Sequence, residues 1–323
     1  MPLDTISSQH HHQEKPRFRN ARFKDVTVLV ADTMRASRDA TRNALYDLGI
    51  REFTVAESVD ATRTHLAKGG FDLLIADAYL MDEGTAEIVS AIRGGKLGSD
   101  PFIPVIALTW EPTIEVVQEL VSAGIDLMLT LPMSVNKINQ ALDTLVNRRK
   151  PFVITSDYIG PDRRTEGRSD LHQVPQITVP NALRRRVTGS DDGISPEEVL
   201  QNLHDQRALR LADRAVYTIG KIAGLVSDQD KGTMATWIAD LHKTVQELTD
   251  RLPTTRYRRH LMLSRTLLEV VERIQGCSSP DSSEMEIMQQ LALSVQVGFS
   301  QHNTSSIDDA LDISAAVKGA VAV

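Results

Sequence analysis

The chain has 323 residues, more than one hydrophobic core usually organises, so two domains are the starting expectation. Its 41% hydrophobic and 24% charged residues are those of an ordinary globular protein, and no apolar run approaches the ~20 residues of a membrane span. A net charge of −7 argues against nucleic acid as a partner, and the single cysteine, Cys277, excludes an internal disulfide framework and fits a reducing cytoplasm.

Residues 1–24 carry no apolar core of the signal-peptide kind and read as a polar, disordered arm, with His10, His11 and His12 as solvated tail residues. From residue 25 to 150, short β-branched runs alternate with amphipathic windows, the pattern of a parallel α/β sheet. The predicted strands are Val26–Val30, Phe53–Ala56, Leu73–Asp77, Pro104–Leu108 and Leu127–Leu131. The helices between them are predicted at Ala36–Leu48, Val59–Lys68, Thr85–Arg93, Ile114–Ala123 and Val135–Arg148. Together they predict a flavodoxin-like, doubly wound five-stranded parallel sheet. Ligands of such sheets bind beyond the carboxyl ends of the strands. Asp32 closes VTVLVAD there, Asp77 closes FDLLIAD, and Thr109 closes IPVIALT. Carboxylates and a hydroxyl delivered to one edge describe a site for a cation and a phosphoryl group.

Residues 151–194 change character. They are rich in Pro, Gly and charge and read as a linker that docks partly on the first domain, with Arg184, Arg185 and Arg186 as a basic cluster. From Ser195 to the end the pattern is helical. Ser195, Pro196 and Glu198 combine an N-cap serine, a first-turn proline and a glutamate three residues on, a capping box. Helices are predicted at 196–227, 231–251, 254–276, 282–302 and 306–319. Leu200, Leu203, Ala208, Leu211, Ala215, Ile219, Ile222 and Val226 form an apolar stripe at helical spacing, and the predicted architecture of 195–323 is an all-α bundle. This region holds 13 Lys/Arg against 17 Asp/Glu, which argues against a DNA-binding output module. Trp237 and Tyr257 are expected as packing anchors, and His242 and His260 as surface or edge residues.

Residues 25–148 resemble the receiver domain of two-component response regulators, the fold shared with single-domain chemotaxis regulators. The segments VLVADTMRASRDATRNALYDLGI, FDLLIAD, IPVIALTWEPT and LMLTLPMS fall in the right order at nearly the right spacing. RRKPFVITSDYIGPDRR is similar to an extension that follows some bacterial receivers. The resemblance implies phosphoryl transfer from a histidine kinase or phosphotransfer protein to an aspartate, which matches Asp77. It implies Mg2+ held by Asp32, Asp77 and the backbone carbonyl of Tyr79, an ion that favours oxygen ligands and keeps several waters. Thr109 matches the hydroxyl that bonds the phosphoryl group, with Glu111 at the expected offset beyond it.

The departures from the family are specific. Thr33 stands where the second metal-site acid is expected, and Leu131 where a lysine would pair with the acyl phosphate. Met128 replaces the aromatic switch residue. The loop AYLMDEG lacks the usual proline and is one residue short, with Asp82 and Glu83 as substitute acids off the expected strand end. A lost charged donor at such a site commonly costs ~10²–10³ in rate, or about 3–4 kcal/mol. The expectation is a cytoplasmic, response-regulator-like phosphorelay protein that is not an enzyme, with an impaired phosphoacceptor and weak or absent Mg2+.

Two classes of role compete for the helical region. One is an interaction module that forms a homodimer or grips a partner, adjusted by the receiver. The other is phosphorelay chemistry. His204 with Asp205 beside it loosely resembles a phosphorylated histidine segment, and Glu286 and Gln290, four apart, have the spacing a phosphatase pair would need. No glycine-rich ATP-binding box follows, which excludes an intact kinase. A conventional receiver phosphorylated on Asp77 stays the alternative to the impaired one.

Overall fold

In a computed structural model, the described residues are 21–80, 84–164, 175–190, 193–225, 231–275 and 282–300. Residues 1–20 of the expected N-terminal arm, Asp82, Glu83 and the helix expected at 306–319 lie outside them, whereas residues 21–24, expected as the end of a disordered arm, are folded because Phe23 is fully buried in the core. The chain divides into two compact units. The first comprises residues 1–149 and 181–192, the second 150–180 and 193–323.

The first unit opens with a single 3-10 turn, Ala21–Phe23, followed by alternating strands and helices. These are β1 (Thr27–Ala31), α1 (Arg35–Asp47), β2 (Glu52–Ala56), α2 (Val59–Lys68), β3 (Leu73–Asp77) and α3 (Thr85–Arg93). Then come β4 (Val105–Thr109), α4 (Ile114–Ala123), β5 (Leu127–Thr130) and α5 (Val135–Asn147). The five strands are parallel in the order β2-β1-β3-β4-β5, the predicted doubly wound sheet. Each central strand is apolar on both faces because helices cover both, and its side chains alternate between two cores. Leu29, Leu74, Ala76, Val105 and Ala107 pack with α2, α3 and α4. Val28, Val30, Leu73, Ile75, Ile106 and Leu108 pack with α1 and α5. Helix starts are set by local chemistry: Ser58, Thr113 and Ser134 each accept a backbone N–H from the first turn of α2, α4 and α5.

The amino edge of this sheet holds a buried ionic lock. Arg93 donates to the carbonyls of Gly124 at 2.9 Å, Pro101 at 2.7 Å and Ile103 at 2.8 Å, and to Asp126 at 2.9 Å. Asp126 also accepts from the Val105 amide at 2.9 Å and from Arg149 at 2.7 Å.

The described residues of the expected linker form regular elements. Residues 151–194 carry β6 (Phe152–Ile154), β7 (Ile159–Pro161), β8 (Gln176–Ile177) and α6 (Ala182–Thr188). The three strands form an antiparallel sheet in the order β7-β6-β8 within the second unit. Helix α6 belongs to the first unit, where Leu183 is fully buried in the α1/α5 core. Strands of two or three residues carry no period to read, so the apolar islands of this segment look like loop in the sequence.

The rest of the second unit is α7 (Pro196–Leu225), α8 (Lys231–Arg251), α9 (Leu261–Gln275) and α10 (Ser282–Ser300). α7 packs on α8, α8 on α9, α9 on α10 and α10 back on α7, a closed four-helix bundle. Its core runs through Leu211, Ile219, Leu241, Leu248, Leu267 and Leu291. The helix expected from residue 254 begins at Leu261 instead. Pro253 lacks an N–H, and the Thr255 hydroxyl donates to the Leu252 carbonyl at 2.9 Å and accepts the Tyr257 amide at 3.2 Å. Those bonds hold two 3-10 turns, Leu252–Thr254 and Arg258–His260, in place of a helical start. His260, expected at the surface, is buried against Phe299, 5.2 Å between ring centres. The flat ring fits there because residue 298 is glycine. Among the described residues no helix is long and apolar enough to cross a membrane.

Candidate functional site

The two carboxylates at the carboxyl edge of the sheet are placed by strand register. β1 and β3 are neighbours whose paired residues end at Ala31 and Ala76, so Asp32 and Asp77 follow one step beyond. Both continue the parity of Val30 and Ile75, so they leave the sheet toward the same side. Asp32 is fully buried. Its Oδ1 accepts the Met34 amide at 2.7 Å, while its Oδ2 is buried without a hydrogen-bond partner. Asp77 is 4% exposed, and its Oδ1 accepts the Tyr79 amide at 3.1 Å. The Thr85 hydroxyl, at the start of α3, donates to the Asp77 carbonyl and fixes the strand end. Burial raises the Asp77 pKa above the usual carboxylate value; the Tyr79 amide lowers it and the neighbouring Asp32 raises it further.

Thr109 ends β4, fully buried, and its hydroxyl donates to the Glu111 carbonyl at 3.2 Å. Leu131 follows β5, and its amide donates to the Thr109 carbonyl at 2.7 Å. Its side chain is 8% exposed and packs in the core with Ile106, Leu108 and Ile138. Met128 sits on β5 opposite Ala107 and packs partly into the other core. Thr33 is half-buried beside Asp32, Tyr79 is 59% exposed at the rim, and Glu111 is exposed.

The sequence reading missed Arg38. From α1 its guanidinium donates to the carbonyls of Asp32 and Thr33, both at 3.0 Å, and pairs with Glu57 at 2.7 Å. It fastens the turn that carries Asp32 to the first helix. Arg35, Arg38 and Arg42 all stand in one stretch of α1, and nothing in their spacing singles out the middle one.

No group of three His, Cys, Asp or Glu side chains that would enclose a metal occurs among the described residues. Two carboxylates nevertheless suffice for an ion that retains its waters. A buried carboxylate oxygen with no donor, as at Asp32 Oδ2, is costly unless a cation meets it. The residues present therefore fit a hydrated divalent cation held by Asp32 and Asp77.

In the helical unit, His204 and Asp205 do not form a pair. Asp205 accepts the Arg256 amide at 2.9 Å and the Gln201 side chain at 3.1 Å. His204 is half-buried, with its Nδ1 buried and without a hydrogen-bond partner. Burial, then Arg251, lowers its pKa, while Asp205 opposes the shift. Glu286 and Gln290 are both exposed on α10.

A parallel five-stranded, doubly wound sheet with acids at the carboxyl ends of its first and third strands is a flavodoxin-like α/β fold. Residues 28–143 match the family model of the response regulator receiver domain. This part of the chain is a receiver domain of the two-component, CheY-like kind. Among solved structures the chain is similar to the Vibrio cholerae chemotaxis protein CheY4, at 25% identity over 36% of this chain and 96% of that one, with a TM-score of 0.34. It is also similar to the receiver domain of a Pseudomonas aeruginosa sensor histidine kinase with a magnesium ion in its active site cleft. That match is 17% identical over 36% of this chain and 93% of the other, with a TM-score of 0.33. A third is RcsB of Salmonella enterica serovar Typhimurium bound to a promoter, 17% identical over 37% of this chain and 67% of the other, with a TM-score of 0.33. No curated protein matches the chain.

Proposed function

We propose that the chain is a phosphorelay signalling protein whose receiver accepts phosphoryl groups poorly, and that it works through protein contacts of its helical unit. The observation that carries this reading is Leu131. Where the family places a lysine to pair with the acyl phosphate, this chain buries an aliphatic side chain in the α1/α5 core. A leucine supplies no charge to draw in a phosphoryl group or to hold it once attached. Thr33 removes a second acid from the metal site, leaving Asp32 and Asp77 as its carboxylates.

The acceptor in this reading is Asp77. One of its oxygens would attack phosphorus on a phosphohistidine, the P–N bond would break, and the imidazole would leave. Asp32 and Asp77 would hold Mg2+, with the Tyr79 carbonyl as a further ligand, and the ion would supply charge neutralisation for the phosphoryl oxygens. Thr109 would bond the attached group. Asp77 is buried beside a second carboxylate, which makes the approach of a phosphoryl anion costly without that cation. The partners proposed are a histidine kinase or phosphotransfer protein at the receiver and a second copy of the chain at the helical unit.

The second reading keeps Asp77 as a fully working acceptor that switches the helical unit. The observation in its favour is the unpartnered Oδ2 of Asp32, which leaves a buried carboxylate oxygen for a cation to meet. Acetyl phosphate with magnesium separates the two. Intact mass should show little or no added phosphoryl group on the wild type and marked labelling of Leu131→Lys combined with Thr33→Asp, abolished by Asp77→Asn. Strong labelling of the wild type selects the second reading, and no gain in the double variant refutes the account of the defect.

A further inference from the structure

A cavity of about 510 Å³ opens in the helical unit between the turn joining β6 to β7 and the outer faces of α7 and α8. That volume lies in the range of small-molecule sites, roughly 300–1,000 Å³. The turn is held there by α7: Arg207 donates to the Thr155 carbonyl at 2.6 Å, and Arg214 pairs with Asp157 and with Asp240 of α8. Arg214 is thus committed inside the protein.

Arg210, one turn earlier on the same face, is not. Its Nε is buried without a hydrogen-bond partner, and it reaches Asp213 only at 3.8 Å. Thr218 also lines the cavity, fully buried, with a hydroxyl that has no partner. Leaving such groups unmet costs free energy, and native folds rarely leave them so without a use. Beside them Trp237 and Tyr217 stand edge to face, 6.5 Å between ring centres, a surface for an apolar or aromatic body.

The charge around the cavity selects among ligands. Two guanidiniums, Arg210 and Arg214, face three carboxylates, Asp157, Asp213 and Asp240. A phosphate-rich ligand would meet a net negative wall. A ligand carrying both signs fits, with its carboxylate on Arg210, its ammonium on Asp213 and its body on the aromatic pair. We propose that this cavity binds a small zwitterion with an aromatic or apolar body, of which an aromatic α-amino acid is the simplest member. The helical unit then senses a ligand of its own, independently of the receiver.

The chain has two tryptophans, so full-length protein carrying Trp110→Phe leaves Trp237 as the sole fluorescent reporter. Titration with L-phenylalanine should give a saturable change in its emission. Phenylpropionate, which lacks the ammonium, and phenethylamine, which lacks the carboxylate, should each bind at least about tenfold more weakly, the worth of one charged hydrogen bond. Arg210→Gln should weaken L-phenylalanine about tenfold while leaving phenethylamine unchanged, and Asp213→Asn should do the converse for phenylpropionate. Circular dichroism checks each variant's fold; if Arg210→Gln unfolds, the analogue series in the exposed Asp213→Asn variant decides alone. No saturable response to L-phenylalanine, or equal responses to all three compounds, overturns the proposal.

Discussion

Asp77 and Asp32 leave adjacent parallel strands on one face of the sheet, one step beyond the last paired residues, Ala31 and Ala76. Burial, and then the second carboxylate, lifts the Asp77 pKa above its ordinary 3.8 against the pull of the Tyr79 amide. A carboxyl whose folded-state pKa is raised takes up protons on folding, so its ionised form works against the fold. That penalty is complete above the folded pKa and fades as pH falls toward the unfolded value of 3.8. Asp77→Asn should therefore raise the urea midpoint at pH 7, and the gain should shrink as the pH is lowered through the acid range. Magnesium at a hundred times its dissociation constant should stabilise the wild type by about 2.7 kcal/mol. A thermal shift of the same size in Asp32→Asn/Asp77→Asn would show that the ion binds elsewhere.

Asp126 ties the opposite edge of the sheet together through two arginines, and its side chain and that of Arg93 are each 2% exposed. Removing the shared acid strands buried guanidiniums without their counter-charge. Asp126→Ala should destabilise the receiver by about 3–5 kcal/mol, whereas replacing Arg93 and Asp126 together by apolar residues should cost much less. Equilibrium unfolding in urea measures both, and equal losses in the two variants would show that the pair itself, rather than an unpaired charge, carries the effect.

The strands of the receiver were legible because a sheet covered on both faces needs unbroken apolar runs, and a run that ends in Asp declares its carboxyl end. Predicted and observed limits differ by one residue for several strands, Val26–Val30 against Thr27–Ala31 for the first. The reason is that ladder hydrogen bonds, and not hydropathy, decide where pairing starts. The acids Asp32 and Asp77 were readable for the same reason. Arg38 was not, because its bonds go to backbone carbonyls, which any sequence offers. Arg93 was not singled out, since its partner Asp126 lies 33 residues away and one partner of a buried pair does not announce the other. In residues 151–194 the Asn181 cap and Gly189 stop of α6 were present in the sequence, but the Arg184–Arg186 run between them suggested a solvated linker.

His260 bears on the helical unit's response to pH. Its Nε2 accepts from Arg259 at 3.1 Å, and burial, followed by Arg259, holds its pKa below 6.5 against a hydrogen bond to the Gly298 backbone. A histidine kept neutral by the fold protonates more readily when unfolded, so the unit should lose stability as pH falls from 6.5 toward the folded pKa. His204 is shifted in the same direction, so His260→Phe should flatten this slope in part and the double replacement further. The ring's fit is tested at its neighbour. A Cβ at residue 298 would stand 2.8 Å from the imidazole Cε1, so Gly298→Ala should cost roughly 1–3 kcal/mol. Thermal melts between pH 5 and 8 measure both effects, and a wild-type slope unchanged by removing the two histidines would refute the assignment.

Helix α6 is fixed to the receiver by one side chain that does two things. Asn181 caps the helix by accepting the Arg184 amide at 3.0 Å, and its Nδ2 donates to the Leu145 carbonyl at the end of α5 at 2.8 Å. Two residues on, Leu183 is fully buried, and Arg186 reaches Asp72 at 3.1 Å. Loss of the cap should cost about 0.5–2 kcal/mol, and Leu183→Ala about 2–5 kcal/mol through the cavity it leaves. If α6 opens locally, limited proteolysis should cut these variants within 181–190 well below the denaturant needed to unfold the sheet, because a seven-residue helix has little stability of its own once its anchor is gone. Cleavage only in parallel with global unfolding would mean that α6 is an integral part of the receiver core.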